Sequence, residues 1–239
     1  MTKQRLDQVL TKRKLVASRS QAESWIKLGE VTVDGKVVTK PGFFVRDDAR
    51  IELAAQEQYV SRAGLKLASV AMLLELDFRG KTVLDVGSST GGFTDYALRH
   101  GAKKVIAVDV GTDQLHSSLQ GDMRIELHEK TDIRDFIPHT TPDIVVMDVS
   151  FISLREILPH IATFAGVDTQ IVAMVKPQFE AGKNQVNKGV IKNDAIRRQI
   201  LKDFEVWTKG QFVIRDKRDS EVTGAKGNRE RFYSLNVTR

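Results

Sequence analysis

The chain has no cysteine among its 239 residues, so disulfides and a cysteine nucleophile are both excluded. It also lacks a long apolar run. The most apolar stretches, such as Ile171 to Val175, are far too short to cross a bilayer, and the first eight residues, Met-Thr-Lys-Gln-Arg-Leu-Asp-Gln, carry charge where a secretory signal carries its apolar segment. A cytoplasmic protein without stable membrane association is expected. The five histidines form no ligand-spaced cluster, so no metal site is expected. What the chain does have is basic charge, +6 overall, and it is uneven: residues 1 to 66 hold 13 Lys and Arg against 8 Asp and Glu. A basic front end on a near-neutral body suits an anionic polymer, although a generally solvated basic surface would give the same totals.

The rest of the chain is organised around Val83 to Asp95, Val-Leu-Asp-Val-Gly-Ser-Ser-Thr-Gly-Gly-Phe-Thr-Asp. An apolar run ends at a carboxylate and a glycine loop, and a helical pattern follows. Gly87, Gly91 and Gly92 suit sharp bends or close approach, and Thr94 with Asp95 suits the opening of a helix. A strand-to-helix turn of this kind in an α/β sheet is a nucleotide-sized crevice. Ser88, Ser89 and Thr90 separate Gly87 from Gly91, which breaks the Gly-x-Gly-x-x-Gly spacing of dinucleotide folds. The pattern Asp-x-Gly-x-x-x-Gly instead resembles the first motif of class I S-adenosylmethionine-dependent methyltransferases, with Asp85 facing a cationic group.

Ahead of this stretch, Leu6, Val9, Leu10 and then Ala22, Trp25, Ile26 mark two amphipathic helices between Arg5 and Gly29, the second capped by Ser18 or Ser20. Residues 30 to 38 spell a hairpin turning at Asp34-Gly35, and Asp48 to Leu53 adds a short strand. Ala54 to Tyr59 breaks the pattern, giving a small α+β domain at 1–56, a linker at 57–60 and a second domain at 61–239. Ser61 is placed to cap a helix to about Leu76, with Leu65, Ala68, Met72 and Leu76 in a stripe. Beyond Gly80 the alternation predicts a strand that begins at Thr82 and ends near Asp85, then strands at 104–109, 123–128, 143–148 and 169–175. Helices are predicted at 94–100, about 113–119 and about 154–164. A glycine- and lysine-rich loop at 177–192, a helix from Asp194 to Lys209 and two final strands at about 211–217 and 230–237 follow. The fold class is α/β, a Rossmann-like, mostly parallel sheet with an antiparallel last strand.

Charged residues fall at the carboxyl ends of several of these strands, where side chains enter the crevice. Asp109 suits the hydroxyls of a ribose. Asp132 suits an adenine amino group, though a turn carboxylate fits it equally well. Asp148 and Lys176, opposite in sign, end adjacent strands. An enzyme acting on amines would show Pro-Pro and an aromatic after the first of these; Asp148-Val-Ser-Phe points to a hydroxyl acceptor instead.

Two resemblances follow. Arg-Leu-Asp at 5 to 7, Ser-Arg-Ser-Gln-Ala at 18 to 22 and Gly-Glu-Val-Thr-Val-Asp-Gly at 29 to 35 resemble the RNA-binding domain first known from ribosomal protein S-four. That likeness implies RNA contacts from Arg5, Lys12, Arg13, Arg19 and Lys27. Tyr59-Val-Ser-Arg-Ala-Gly-Leu-Lys, the glycine loop, Asp148-Val-Ser-Phe, Val175-Lys-Pro-Gln-Phe-Glu and Gly227-Asn-Arg-Glu resemble the TlyA family, an RNA-binding domain fused to an FtsJ-like methyltransferase. The likeness implies S-adenosylmethionine as cofactor, held by Asp85, Gly87, Ser88, Gly91, Gly92, Phe93, Asp109 and Asp132. It places a catalytic tetrad on Lys66, Asp148, Lys176 and Glu230, and implies methylation of ribose 2′-hydroxyls, with cytidine in ribosomal RNA or ribosomal subunits as the target. Two departures, Ser88 and the missing proline in Ser220-Glu-Val-Thr-Gly, leave the tetrad untouched.

The chemistry calls for such a set. A ribose hydroxyl is a poor acid, so a base such as Lys176 is needed. Partial burial and a nearby Lys66 cation favour its neutral amine, with Asp148 and Glu230 orienting the two amines. The absence of cysteine already excludes methylation at carbon 5 of a pyrimidine. The competing readings are a non-catalytic RNA-binding or ribosome-assembly factor, and the membrane-active haemolysin that the family's other name suggests.

Overall fold

The computed structural model describes residues 3–16, 19–27, 29–53, 59–182, 189–191, 193–224 and 227–238. Ser18, the side chains of Ser20 and Lys27, residues 57 and 58 of the expected linker, and residues 183–188 and 192 of the expected 177–192 loop lie outside them.

The front segment comprises β1 (Lys3–Arg5), α1 (Leu6–Lys12), α2 (Arg19–Lys27), β2 (Val31–Val33), β3 (Lys36–Val37), β4 (Phe44–Arg46) and β5 (Ile51–Leu53). The two helices bury Leu6, Val9, Leu10, Ala22, Trp25 and Ile26, the residues whose spacing announced them. Asp34 and Gly35 both take positive φ, +50° and +77°, as a two-residue hairpin between twisted strands requires. Two strands were not legible beforehand: β1 and β4 pair antiparallel as three-residue strands of mixed polarity, too short for alternation to register.

Residues 59 onward form α3 (Arg62–Ala71), β6 (Thr82–Val86), α4 (Gly92–Arg99), β7 (Lys104–Val108), β8 (Ile125–His128), β9 (Ile144–Met147), α5 (Leu158–Phe164), β10 (Gln170–Val175), α6 (Pro177–Glu180), α7 (Asp194–Thr208), β11 (Phe212–Asp219) and β12 (Arg231–Val237). They build a seven-stranded sheet of order β11-β12-β10-β9-β6-β7-β8. The five strands from β10 to β8 run parallel, and β12 enters antiparallel between β10 and β11. The central strands are buried on both faces, which is why they read as unbroken Val, Ile, Leu and Met runs. The order reverses between β6 and β9, and this switch opens a crevice at the strands' carboxyl ends.

Several expectations need correction. The helix at 113–119 is only a 3₁₀ turn, Ser117–Leu119: Asp113 sits at φ +52° and only Leu115 and Leu119 in that stretch are buried. The segment from 154 splits into a 3₁₀ turn, Leu154–Glu156, and α5, which has Pro159 in its first turn. Helix α3 stops at Ala71 and the chain turns at Glu75, φ +54°, so Met72 is 85% exposed rather than part of the stripe. Ser61 occupies the N-cap of α3 without a capping side-chain bond.

The junction of α3 and α4 is close. A Cβ on Gly92 would lie 2.9 Å from the Gly64 backbone nitrogen and closer still to the Ser61 hydroxyl. Gly92→Ala is therefore expected to lower stability by about 1–3 kcal/mol, as overpacking does. Urea unfolding checks this, and an unchanged midpoint would contradict it.

Candidate active site

Two adjoining cavities, of about 450 and 360 Å³, make up the crevice and share Gly87, Ser89, Asp148 and Ser150 as walls. Strand β6 delivers Asp85 to the first. The carboxylate is 1% exposed; its Oδ2 accepts the Thr94 hydroxyl at 2.6 Å, while Oδ1 is buried without a hydrogen-bond partner. Burial pushes this carboxyl up to about 7 against the opposing pull of the Thr94 hydroxyl, and the nearby Asp148 charge adds to the rise. A buried acid with one unmet oxygen is a receptor for a cationic donor.

Thr94 thus serves Asp85, not the helix end. The N-cap is Gly91 at φ +87°, with no capping side chain, and Asp95 instead accepts the Val60 amide and Arg99 Nε. Gly87, at φ +79°, lets the chain after β9 come close: a Cβ there would lie 3.1 Å from the Asp148 carbonyl oxygen. Ser88 and Phe93 line the first cavity, and Ser88 Oγ is buried without a hydrogen-bond partner. Gly91 and Gly92 line neither cavity. They stand behind the loop, where Leu115 and Leu119 press on Gly91 and the start of α3 presses on Gly92.

The second cavity holds the other two acids. Asp109, just past β7, accepts the Gly111 amide through Oδ1 (2.7 Å) and the Ser89 amide through Oδ2 (2.8 Å), tying the glycine loop to the next strand. A carboxylate has lone pairs to spare, so its outer side remains available to hydroxyl donors. Asp132 caps a 3₁₀ turn by accepting the Arg134 amide, and it forks with the same residue's guanidinium, which holds it below its usual range.

The four tetrad positions come together two by two. Lys66, on α3, lies 2.5 Å from Glu230 Oε2, with side chains 10% and 3% exposed. Lys176, just past β10, lies 2.6 Å from Asp148 Oδ1, with side chains 9% and 15% exposed. Both contacts are ion pairs by distance whose angles fall short of directed hydrogen bonds. Asp148 and Lys176 face the first cavity. Lys176 Nζ also donates to Ser150 Oγ at 2.7 Å, a partner that sequence reasoning missed, although it stands two places after Asp148.

Three further residues around this site had gone unread. The Glu180 side chain is withdrawn from solvent, accepts the Ser153 hydroxyl (2.6 Å) and the Leu154 amide (2.7 Å), and so fastens the loop that carries Ser150 to the helix that follows Lys176. Burial raises its carboxyl despite those bonds. Phe151, at φ +68° and 91% exposed, stands on the rim of the second cavity with Phe179 5.3 Å away. Arg62 lines the first cavity.

On the front segment, Arg5 and Arg19 converge on the buried Asp7, at 2.9 and 2.8 Å. Burial raises this carboxyl, but the two guanidinium bonds outweigh it and hold Asp7 below its usual value. Arg13 donates to the carbonyls of Ala49 and Asp47, and Lys12 is exposed. The three arginines brace the domain while remaining partly at its surface, with donors left over. Among the described residues no group of acidic, histidine or cysteine side chains is placed to hold a metal, and no helix is long and apolar enough to cross a membrane.

Sheet order and crevice define the class, a Rossmann-like α/β fold with a ligand crevice at its switch point and a further N-terminal segment. Comparison narrows it: residues 59–237 match the FtsJ-like methyltransferase family and residues 4–51 the S4 domain. The chain belongs to the FtsJ-like methyltransferase family. It is 36% identical to the 23S rRNA (cytidine-2′-O)-methyltransferase TlyA of Campylobacter jejuni, over 96% of this chain and 98% of that one. It is 40% identical to the 16S/23S rRNA (cytidine-2′-O)-methyltransferase TlyA of Mycobacterium tuberculosis, over 80% and 73%. A solved structure of a Streptococcus thermophilus protein named as a hemolysin superposes with a TM-score of 0.73 at 36% identity, covering 100% of this chain and 90% of that one.

Glu180→Ala would leave the Leu154 amide and the Ser153 hydroxyl without their acceptor. A loss of about 1–3 kcal/mol is expected, with Glu180→Gln milder because an amide can still bond both groups. Denaturant unfolding of the two variants checks this, and equal losses would contradict it.

Proposed function

We propose that this protein methylates ribose 2′-hydroxyls in ribosomal RNA, with cytidine as the target nucleoside and S-adenosylmethionine as the donor. One observation carries the reading: a buried lysine, Lys176, is held by Asp148 and Ser150 on the wall of the cavity that contains the unmet oxygen of Asp85. The names of the TlyA relatives support the nucleoside and the polymer.

The residues fit the cofactor. Asp85 Oδ1 suits the ammonium of its amino-acid end, Ser88 Oγ offers a second unmet group beside it, and Gly87 removes the side chain that would fill the approach. Asp109 and Asp132 line the adjoining cavity, where the ribose and adenine would lie. Bound there, S-adenosylmethionine supplies a methyl group already activated on a sulfonium.

The chain's own residues supply position and a base. Lys176 would take the proton of the attacking ribose hydroxyl, for which its amine must first have given up its own. Asp148 and Ser150 fix Nζ, so the base waits in one place. Lys66, fixed by Glu230, would add a cation for the charge that develops on oxygen. Phe151 offers an exposed ring for an unstacked base. We assign residues 1–56 to RNA capture, 57–60 to the link and 61–239 to catalysis. In the capture domain Arg5, Lys12, Arg13, Arg19 and Lys27 would meet phosphates by shape rather than sequence.

Lys176→Ala is expected to cut methyl transfer at least about 100-fold while calorimetric cofactor affinity stays within about twofold. Full activity would remove Lys176 as the base. Asp85 adds a pH signature. Its carboxyl is raised from 3.8 to about 7, so it favours the folded protein at acid pH, and that contribution fades as pH rises through 7. A cation at Oδ1 selects the ionised form. Cofactor affinity should therefore fall about tenfold per pH unit below 7, and binding near pH 7 should release a proton. Calorimetry in buffers of different ionisation enthalpy reads both effects. An Asp85→Asn variant with the same pH dependence would contradict the assignment.

A further inference from the structure

Arg62 is the one strongly basic wall residue of the first cavity that the chemistry above leaves unused. It opens α3 four positions before Lys66, so the two side chains leave neighbouring points of one helix face. Its Nη2 donates to the Thr223 carbonyl at 2.5 Å. Thr223 precedes Gly224, where a Cβ would lie 2.7 Å from Glu230 Oε1. Arg62 therefore reaches from the wall shared with Asp148 and Lys176 to the loop beside Glu230.

Its charge is unanswered. Arg62 Nε is buried without a hydrogen-bond partner, the bond that Nη2 makes is to a neutral carbonyl, and among the described residues no carboxylate pairs with it. A guanidinium placed this way is a fork for a planar or tetrahedral oxyanion. The acceptor chemistry supplies one. A ribose hydroxyl delivered to Lys176 brings a phosphodiester on the adjoining carbon of the same sugar, so an anion must arrive within a nucleotide's width of that amine.

We propose that Arg62 receives the phosphodiester next to the reacting 2′-hydroxyl and so sets the acceptor nucleotide in register with Lys176. This rests on the acceptor being RNA, as proposed above. The cofactor's carboxylate is the competing anion. The phosphodiester is favoured because Arg62 is fastened to the loop on the Glu230 side, whereas Ser88 and Thr90, on the glycine loop, already offer hydroxyls to the cofactor's amino-acid end.

The test uses the full chain with purified ribosomal RNA and ribosomal subunits, comparing wild type, Arg62→Gln and Arg62→Lys. For Arg62→Gln the KM for RNA should rise about tenfold or more, as the loss of a charge-assisted contact implies, with cofactor affinity by calorimetry held within about twofold. The slope of log KM against log salt should shrink by about 0.7–0.9, one phosphate contact's worth. Arg62→Lys should keep the wild-type salt slope while KM still rises, because the charge stays and the fork is lost. It carries the test if the Gln variant does not fold.

Wild-type KM and salt slope in Arg62→Gln would overturn the proposal. So would a fall in affinity for S-adenosylhomocysteine but not for its decarboxylated analogue, since that pattern assigns Arg62 to the cofactor's carboxylate. A wild-type protein that transfers no methyl to RNA would instead overturn the functional reading on which the proposal rests.

Discussion

Two lysines are buried against two carboxylates at the end of the sheet that carries the crevice. Lys66 with Glu230 and Lys176 with Asp148 are ion pairs at 2.5 and 2.6 Å, largely withdrawn from water. Removing one member of such a pair leaves the other charge stranded, at a cost of about 3–5 kcal/mol. Apolar replacements of the same volume are often no worse for stability, so the pairs are weak evidence for a stabilising role. Their placement depends on the whole sheet: Asp148 follows β9, Lys176 follows β10, Glu230 precedes β12 and Lys66 rides on α3. The parallel register of β9 with β10, and the antiparallel insertion of β12 beside β10, bring the four positions to one end.

Around these pairs the loops are fastened by short polar bonds. Glu180 holds the turn at Ser153 and Leu154, and that turn carries Ser150 to Lys176 and Phe151 to the crevice rim. Asp109 holds the glycine loop through the Ser89 amide, and Thr94 holds Asp85. Each clamp joins segments distant in sequence, so the cofactor cavity and the catalytic pairs share one rigid frame. Three of the buried polar atoms without a hydrogen-bond partner, Asp85 Oδ1, Ser88 Oγ and Arg62 Nε, belong to residues lining the first cavity.

Much of this was legible in the residues themselves. Central strands such as Val83 to Val86 and Ile171 to Val175 are buried on both faces, so an unbroken apolar run suffices to find them. Asp148 and Lys176 were readable as crevice residues because they stand where such runs end, whereas Lys66 and Glu230 came only from the family resemblance. The stretch at 113–119 misled because Leu115 and Leu119 are a helical turn apart, yet their task is to pack against Gly91. Strands β1 and β4 were invisible because three residues show no period. Glu180, Ser150 and Arg62 could not be found from spacing alone: each acts through a partner in another loop, and only folding brings those loops together. The glycines of the opening motif were partly misassigned for the same reason. Gly87 faces the crevice, while Gly91 and Gly92 serve the packing behind it.

Membership in the FtsJ-like methyltransferase family gives the reaction type, and the S4 domain at the front gives a means of holding structured RNA. On the proposed reading, that reaction takes place in the first cavity, which Asp85, Asp148 and Lys176 line together. The most direct test incubates purified protein with ribosomal subunits and S-adenosylmethionine labelled at its methyl group, then maps the product by nuclease digestion and mass spectrometry. The account predicts label on the 2′-oxygen of a cytidine ribose. Label on a base, or none on RNA with folded protein and bound cofactor, would contradict it.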